Sequence, residues 1–490
     1  MNAQILVWLL LTPFAGAVLL YLARGRLQDV LAAALPAAYL VLGLGAVFGG
    51  RSRFPLEATL TSMPWLGDAG AVTLRLDPLS SILLLVVLMV GLLVMVYSIT
   101  YMGPLNRDHP VVGREGNSRY FLTLSAFIGS MVGVALAGNL LVLFFFWETT
   151  TLCSWALISH DRHSAASVRA AFKALVMTHV GGVFFAIALA VVYGHTGSFA
   201  FGAVRQLGPS AQAAVFLCLL AAASAKSAQV PLFTWLPDAM AAPTPISAYL
   251  HAAAMVKAGV YLMARVILEG GAFPGWAGAL MAALALVTMM VGLIFYFFQD
   301  DLKRFLAYST IAQLGYMMLG LSLLILGSKT GFVAGVFHIA CHSVAKALLF
   351  LSVGVIAMRL GVKKISLISG LYRRMPIASS CFFIGLLAVT GIPPFSCFWS
   401  KLTLVIGIFE LQGPAMALIS VPFYLEIVLT FLWFLKVGQR LLFGEPSPAV
   451  LAAAHDRDAA GMALPNGVLV VLAVLTLAMP LIVYPLLTGL

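Results

Sequence analysis

The chain has 490 residues, of which 62% are hydrophobic and only 9% are charged. Because soluble domains average about 25% charged residues, this composition excludes a soluble enzyme or binding module and indicates a polytopic membrane protein. The net charge of +11 comes from basic residues scattered in small groups over the loops. Cytoplasmic loops favour Lys and Arg in this way, so we expect no nucleic-acid partner.

Apolar windows of about 20 residues predict fourteen transmembrane helices and no soluble domain. The predicted spans lie near residues 3–23, 28–49, 78–101, 118–137, 139–159, 167–193, 211–236, 245–266, 274–298, 304–327, 331–358, 376–408, 414–440 and 465–488. No basic region precedes the first apolar run, so we expect an uncleaved first span rather than a signal peptide.

The distribution of basic residues predicts the orientation of the chain. Of the 28 lysines and arginines, 18 fall on one set of alternate loops and span ends, six on the other set and four deeper inside spans. Since cytoplasmic loops carry the excess of basic residues, both termini are predicted to lie outside the cytoplasm. We expect a multi-pass protein of the cell inner (plasma) membrane.

Two hydrophobic segments are interrupted by prolines at comparable places. The interruptions are Val230–Pro237 in the seventh span and Gly391–Phe395 in the twelfth. Either one taken alone is also consistent with a simple proline kink. As a matched pair they predict inverted repeats whose unwound backbone lines a polar cavity. We therefore predict an all-α protein with helices 1–3 in residues 1–117, five-helix repeats in 118–266 and 274–440, and a C-terminal loop and last helix in 441–490.

Glu148 and Lys226 each place an ionisable side chain in the middle of a predicted span. A charge at membrane depth costs roughly 2.5–3.5 kcal/mol on insertion scales, so it requires a partner or a task. We predict that the two residues form a buried pair that separates and forms again. Desolvation favours a neutral lysine and a neighbouring carboxylate favours a charged one, so such a pair would switch Lys226 between holding and releasing a proton.

The eleventh span contains a His-x-x-x-His-x-x-x-Lys pattern, which places His338, His342 and Lys346 on one helical face. Two histidines at this spacing can bind zinc, but a third ligand and a general-base carboxylate are missing nearby, so we predict no metal site. A purely structural hydrogen-bonded pair is the main alternative. The lysine on the same face favours a proton relay, because imidazole can give and take a proton near neutral pH.

Four further side chains complete the predicted relay. They are His251 and Lys257 in the eighth span, Lys401 after the second helix break and Glu426 in the thirteenth span. The alternative for any single lysine is snorkelling to a membrane interface. Glu426 has no obvious local partner, and structural pairing explains it as well as function does. The five cysteines form no C-x-x-C pair, and we expect no disulfide framework, iron–sulfur cluster, catalytic site or other cofactor.

These residues stand in motifs that resemble those of antiporter-like subunits of the complex I superfamily. The matching motifs are WE at 147–148, KSAQVP at 226–231, WLPDAM at 235–240, PTPIS at 243–247, HAAAM at 251–255, DLKR at 301–304, AYST at 307–310, KALLFL at 346–351 and SK at 400–401. The superfamily includes large membrane subunits of proton-pumping NADH–quinone oxidoreductases, of energy-converting membrane-bound hydrogenases and of multisubunit sodium/proton antiporters.

The resemblance implies fourteen core helices in inverted repeats, a Glu148–Lys226 pair, a central Lys346 with histidines beside it and a terminal Lys401. In the sixth span, residues 178–182 lack the acidic residue of some respiratory relatives, which favours the hydrogenase and antiporter branches. The fourteenth predicted span is the last, so we expect no long lateral helix of the kind that some relatives carry.

Three functions remain open. The first is proton translocation as a subunit of a redox-driven complex, of the energy-converting hydrogenase or NADH–quinone oxidoreductase type, powered by other membrane and peripheral subunits. The second is a multisubunit sodium/proton antiporter, although sodium prefers several oxygen ligands and only Glu148 and Glu426 are carboxylates clearly at membrane depth. The third is the membrane subunit of an inorganic-carbon uptake complex. The partner subunits would distinguish them.

Overall fold

The computed structural model describes residues 3–104, 106–109, 113–453 and 461–490. In these ranges the α-helices are α1 Gln4–Leu22, α2 Arg26–Gly50, α3 Pro78–Tyr101, α4 Gly113–Leu136, α5 Leu140–Ile158, α6 Ala165–Thr196, α7 Pro209–Lys226, α8 Trp235–Asp238, α9 Thr244–Ala252, α10 Met255–Glu269, α11 Gly275–Phe297, α12 Leu302–Ile325, α13 Lys329–Leu360, α14 Pro376–Thr390, α15 Ser396–Phe409, α16 Pro414–Leu442, α17 Pro448–Ala453 and α18 Ala463–Leu487. The α2–α3 connection contains an antiparallel hairpin of β1 (Leu56–Ser62) and β2 (Ala71–Leu76).

The described helices provide fourteen membrane crossings. Thirteen helical stretches are long and apolar enough to span a membrane, with α9 and α10 counted together as one. The shorter α14 and α15 form one further crossing, at the position predicted for the twelfth span. The prediction of an all-α polytopic membrane protein with about fourteen spans is confirmed.

Both predicted helix breaks are present. The seventh crossing loses its helix after Lys226, and Ala228 then adopts a left-handed backbone with φ of 46°. This conformation costs a residue other than glycine on the order of 1–3 kcal/mol, so the surrounding packing must hold it. The twelfth crossing breaks where Gly391, with φ of 88°, ends α14.

A third break, in the eighth crossing, was not predicted. The chain leaves α9 at Ala252 and resumes as α10 at Met255, with Ala254 at φ −108° and ψ −118°. The hydroxyl of Ser343 on α13 donates a hydrogen bond to the Ala252 carbonyl. Because a broken helix at membrane depth must satisfy its backbone groups within the protein, this contact from another helix explains why alanines alone can form the break.

One long helix precedes each broken helix of the predicted repeats. α6 and α13 both have 32 residues, and α13 is buried along its central stretch. It packs against α3, α9, α12, α14, α15 and α18. A long helix followed by a broken crossing is the order that two repeats would produce. The inverted relation of the repeats and their boundaries at 117, 266 and 440 remain predictions.

The C-terminus lies on the same face as the α2–α3 connection. Arg51 donates a hydrogen bond to the Pro485 carbonyl at 2.6 Å, and Gly489 packs against Pro78. We call this the terminal face. The opposite face follows the end of α3 and carries Asp108 and Lys363, and we call it the basic face.

A buried ion pair near the terminal face was not predicted either. Arg265 on α10 is fully buried and donates to both carboxylate oxygens of Asp77, at 2.5 and 2.7 Å. Asp77 also accepts the Ser80 N–H at 3.0 Å as the N-cap of α3. The fork of the guanidinium matches a carboxylate, so this contact joins α3 to α10 with a defined geometry.

Candidate functional site

Glu148, in the middle of α5, contacts His179 of α6 and not Lys226. Its Oε2 atom lies 3.0 Å from Nδ1 of His179, and the two side chains are 23% and 63% exposed. Gly182, on the next turn of α6, makes room for the carboxylate, since a Cβ atom there would overlap Oε1 of Glu148. The predicted Glu148–Lys226 contact is therefore absent from this conformation, and the prediction missed His179.

Lys226 is fully buried and bonds to the same helix that carries Glu148. Its ammonium donates to the Trp147 carbonyl at 2.6 Å and to the hydroxyls of Thr150 and Thr151 at 2.5 and 2.9 Å. Three acceptors match the three N–H groups of a lysine, so its hydrogen-bonding capacity is used without the carboxylate. Sequence reasoning could have found this site, because Thr150 and Thr151 lie three and four residues after Trp147 and therefore on the same face of α5.

Three predicted relay residues, Lys257, His342 and His338, lie in sequence in the core, and we call them the lysine–histidine line. Lys257 Nζ lies 2.8 Å from Nδ1 of His342, and the rings of His342 and His338 have centroids 5.8 Å apart. His338 in turn lies between Ser400, 2.8 Å from Nδ1, and Gln313, 2.9 Å from Nε2. Helices α10, α12, α13 and α15 thus bring one lysine and two histidines together in the core.

His251 stands apart from this line. It is fully buried, its ring centroid is 4.8 Å from that of Phe350, and neither ring nitrogen has a hydrogen-bond partner among the described residues. The structure therefore places His251 in the core without joining it to the other predicted relay residues.

Lys346 and Lys401 each bond to groups outside the histidine pair. Lys346 donates to the Ser309 hydroxyl and, at 3.1 Å, to the Leu306 carbonyl on α12. Lys401 donates to the carbonyls of Val389 and Thr390, both at 3.2 Å. These carbonyls end α14, where the break leaves them without helical partners and where the helix dipole favours a cation.

Glu426 has the local partners that the sequence did not reveal. It is fully buried and accepts hydrogen bonds from Tyr316 of α12 and, at 2.8 Å, from Thr430 one turn later on α16. The ring of Tyr316 lies under Lys401, with Nζ 4.8 Å from its centroid. The sequence left structural pairing and function equally open for Glu426, and its partner Tyr316 lies 110 residues earlier in the chain.

An acidic group on the basic face holds several elements together. Asp108 accepts from Tyr101 at 2.6 Å and from Thr244 at 2.9 Å, and it pairs with Lys363. Burial raises the pKa of Asp108, but Lys303 and Lys363 outweigh that effect and lower the pKa to about 2. Asp108 is therefore charged at neutral pH and connects the end of α3 with the start of α9 and the loop after α13.

Similar segments occur in two sequence families and in several curated proteins. A family model described as "NADH:quinone oxidoreductase/Mrp antiporter, TM" matches residues 137–429, and one described as "NADH-Ubiquinone oxidoreductase (complex I), chain 5 N-terminus" matches residues 69–111. Among curated proteins, the chain is 39% identical over 369 residues to the chloroplastic NAD(P)H-quinone oxidoreductase subunit 5 of Anthoceros angustus. That match covers 69% of this chain and 47% of the relative.

A second curated relative, from Rhizobium meliloti, is described as a probable K(+)/H(+) antiporter subunit of the A/B type. It is 38% identical over 345 residues, which cover 69% of this chain and 33% of that protein. The chain thus spans half or less of the length of these relatives.

Solved structures extend the similarity over nearly the whole chain. A chain of the Mrp complex from Dietzia sp. DQ12-45-1b has a TM-score of 0.84 and 31% identity, and the match covers 99% of this chain and 51% of that one. A chain of the archaeal membrane-bound sulfane sulfur reductase has a TM-score of 0.83 at 24% identity, with 99% and 96% coverage, and shows the same fold. Since the first family model covers more than half of the sequence, the chain belongs to the family of antiporter-like membrane subunits of NADH:quinone oxidoreductases and Mrp antiporters.

Proposed function

We propose that this chain translocates protons across the membrane as the antiporter-like subunit of a multisubunit complex driven by redox chemistry in its partners. The observation that carries the proposal is the contact between Lys257 and His342, both fully buried, with His338 next along α13. A lysine and an imidazole at 2.8 Å can share one proton, and each can be neutral or charged. The name of one relative, a probable K(+)/H(+) antiporter subunit, supports a cation-translocating role, and that of another, an NAD(P)H-quinone oxidoreductase subunit, supports a redox-driven complex.

Within this proposal, Glu148 and Lys226 act as a switch with two settings. Glu148 bonded to His179 leaves Lys226 with its neutral acceptors on α5. Glu148 turned toward Lys226 would favour the charged lysine, because an opposite charge nearby stabilises the ammonium. Movement of one carboxylate between two basic partners would therefore change where the proton is held.

The exposed Glu148–His179 contact supports a neighbouring membrane subunit on that side. His179 is 63% exposed in the middle of α6, and the surrounding surface includes exposed Phe145 and Phe172. A titratable pair facing lipid at this depth is costly. We infer that a transmembrane helix of another subunit, with a polar group facing His179, covers this site. We also propose a cell inner (plasma) membrane location, with peripheral redox subunits on the basic face.

Exchange of protons for sodium or potassium is the second candidate. The oxygen atoms of Glu426, Tyr316, Thr430 and Tyr296 lie together in the core. Hard alkali cations are bound by oxygen ligands, so this cluster favours exchange more than the lysine–histidine line does. Transport that requires Na⁺ or K⁺, measured in the same vesicles, would support exchange over redox-driven pumping.

The test is proton translocation by the intact complex in vesicles. Lys257→Ala and His342→Ala should each reduce translocation strongly, and the double variant should be no worse than either single one, because both remove the same step. Lys329→Ala is the matched control, since Lys329 is exposed at the start of α13. Wild-type translocation by an assembled Lys257→Ala complex would contradict the proposal. The co-purifying subunits would identify the parent complex.

A further inference from the structure

A continuous chain of hydrogen bonds leads away from the lysine–histidine line. The Tyr296 and Thr430 hydroxyls are 2.5 Å apart, and Thr430 donates to Oε1 of Glu426 at 2.8 Å. Tyr316 donates to the other oxygen, Oε2. All four side chains are buried. Their oxygen atoms therefore form an unbroken path that no water molecule is needed to complete.

The two ends of this path reach different parts of the protein. Tyr296 is the second-last residue of α11, and Phe298 just beyond it is 81% exposed on the basic face. The inner end is Tyr316, whose ring stacks against His338 with centroids 5.6 Å apart and lies under Lys401. The hydrogen-bonded path thus runs from the basic end of a helix to Glu426, and the ring of Tyr316 packs against His338 and Lys401.

We propose that Tyr296, Thr430, Glu426 and Tyr316 form a second proton pathway, which connects the basic face with the Lys401 end of the relay. This inference rests on the proposed function, because it assigns an access route to the same relay. It also gives Glu426, Tyr296 and Thr430 roles that the lysine–histidine line does not require.

The proton balance along the path is simple. A proton arriving at the Tyr296 oxygen displaces the Tyr296 hydroxyl proton to Thr430, which passes its own proton to Oε1 of Glu426. Only O–H bonds form and break, and Glu426 becomes neutral. The proton is then held on Glu426, whose partner Tyr316 lies under Lys401, and it leaves by the same hydroxyl groups in the reverse order. Tyr316 couples the two sites, since it bonds to one and supports the other.

The outer end is closed in this conformation by aromatic rings. Phe305 and Phe434 each pack against the Tyr296 ring with centroids 5.8 Å apart. Protons would reach Tyr296 when these rings move apart and water enters between them. This closure prevents a permanent leak between the basic face and the relay.

The decisive experiment compares variants that differ only in a hydroxyl group. Thr430→Val keeps the shape of the side chain and removes its hydroxyl, whereas Thr430→Ser keeps the hydroxyl. In the reconstituted complex, Thr430→Val should slow proton translocation at least about tenfold and Thr430→Ser should stay within about twofold of wild type, since a positioned proton carrier contributes this much or more. Tyr296→Phe should behave like Thr430→Val.

Matched controls separate a proton pathway from a structural role. Tyr308→Phe alters another tyrosine, on α12, whose ring stacks on Phe295 near the end of α11. The Tyr308 hydroxyl has no hydrogen bond among the described residues. It should leave translocation unchanged, and all variants should melt within a few degrees of wild type. Wild-type translocation in both Thr430→Val and Tyr296→Phe, with Lys257→Ala inactive, would overturn the pathway and leave the proposed function standing. An active Lys257→Ala complex would instead contradict the proposed function.

Discussion

Glu148 is hydrogen-bonded to His179 at 3.0 Å and has no contact with Lys226. The Glu148 side chain is 23% exposed at the surface of the chain, whereas Lys226 is fully buried. In the proposed switch, this carboxylate turns from the surface histidine to the core lysine and so connects a neighbouring subunit with the relay. Glu148 is therefore the first residue to test.

Removal of either member of the proposed switch should stop transport. Glu148→Gln leaves Lys226 without a carboxylate to turn toward it, so we expect translocation to be abolished or greatly reduced while electron transfer in partner subunits is less affected. Lys226→Ala should have a similar effect, and the two losses should not add. Proton uptake by vesicles containing wild-type, single-variant and double-variant complexes measures this. Full translocation in an assembled Glu148→Gln complex would make the site structural.

Gly182→Ala should disturb the carboxylate without unfolding the helix pair. A Cβ atom at this position would overlap Oε1 of Glu148, the movable end of a side chain. We therefore expect translocation to fall several-fold, with little change in melting temperature. Gly194→Ala on the same helix is the control, because nothing lies within 4 Å of its added Cβ. Equal translocation in the two variants would show that Glu148 does not need its present position.

Asp108→Asn should destabilise the protein at neutral pH. The pKa of Asp108 lies at about 2, below its ordinary value of 3.8. A lowered pKa means that the charged group stabilises the folded state above pH 3.8 and that this contribution disappears as the pH falls through about 2. The expected loss is on the order of 2 kcal/mol at pH 7.

Melting of the detergent-solubilised complex at several pH values checks the Asp108 prediction. The difference between wild type and Asp108→Asn should be constant from about pH 6 to 8 and should narrow below about pH 4. Asp238→Asn is a suitable comparison, since its partner Lys173 is 40% exposed and such surface pairs contribute little. Identical melting of Asp108→Asn and wild type at pH 7 would contradict the prediction.

Both termini should be accessible from the outside of the membrane. The 18-to-6 distribution of basic residues predicts that the basic face lies in the cytoplasm. Single cysteines introduced near residues 4 and 489 should react with an impermeant reagent in intact cells. The five native cysteines, which all lie in or beside apolar segments, would first be replaced. Labelling of both sites only after the cytoplasmic side is opened would reverse the orientation.

Local features of the sequence determined the number of crossings, two of the three helix breaks in the described residues and the ionisable residues that lie at membrane depth. The length of an apolar run decides whether a segment spans a membrane, and proline or glycine stops a helix wherever it stands. The same run length shows that an ionisable residue in its middle lies at membrane depth. None of these conclusions depends on which helices are neighbours.

Only the tertiary structure decided which partner each buried group has. Glu148 contacts His179 because Gly182 lets the carboxylate lie against α6, and Glu426 meets Tyr316 because the Tyr316 side chain reaches from α12 to α16. The break after Ala252 has no proline or glycine and is stabilised by a hydroxyl from α13. A hydrogen bond acts over about 3 Å, whereas helix rotation and tilt are set by packing along the whole interface. The partners therefore follow from the assembled helices and not from spacing along the chain.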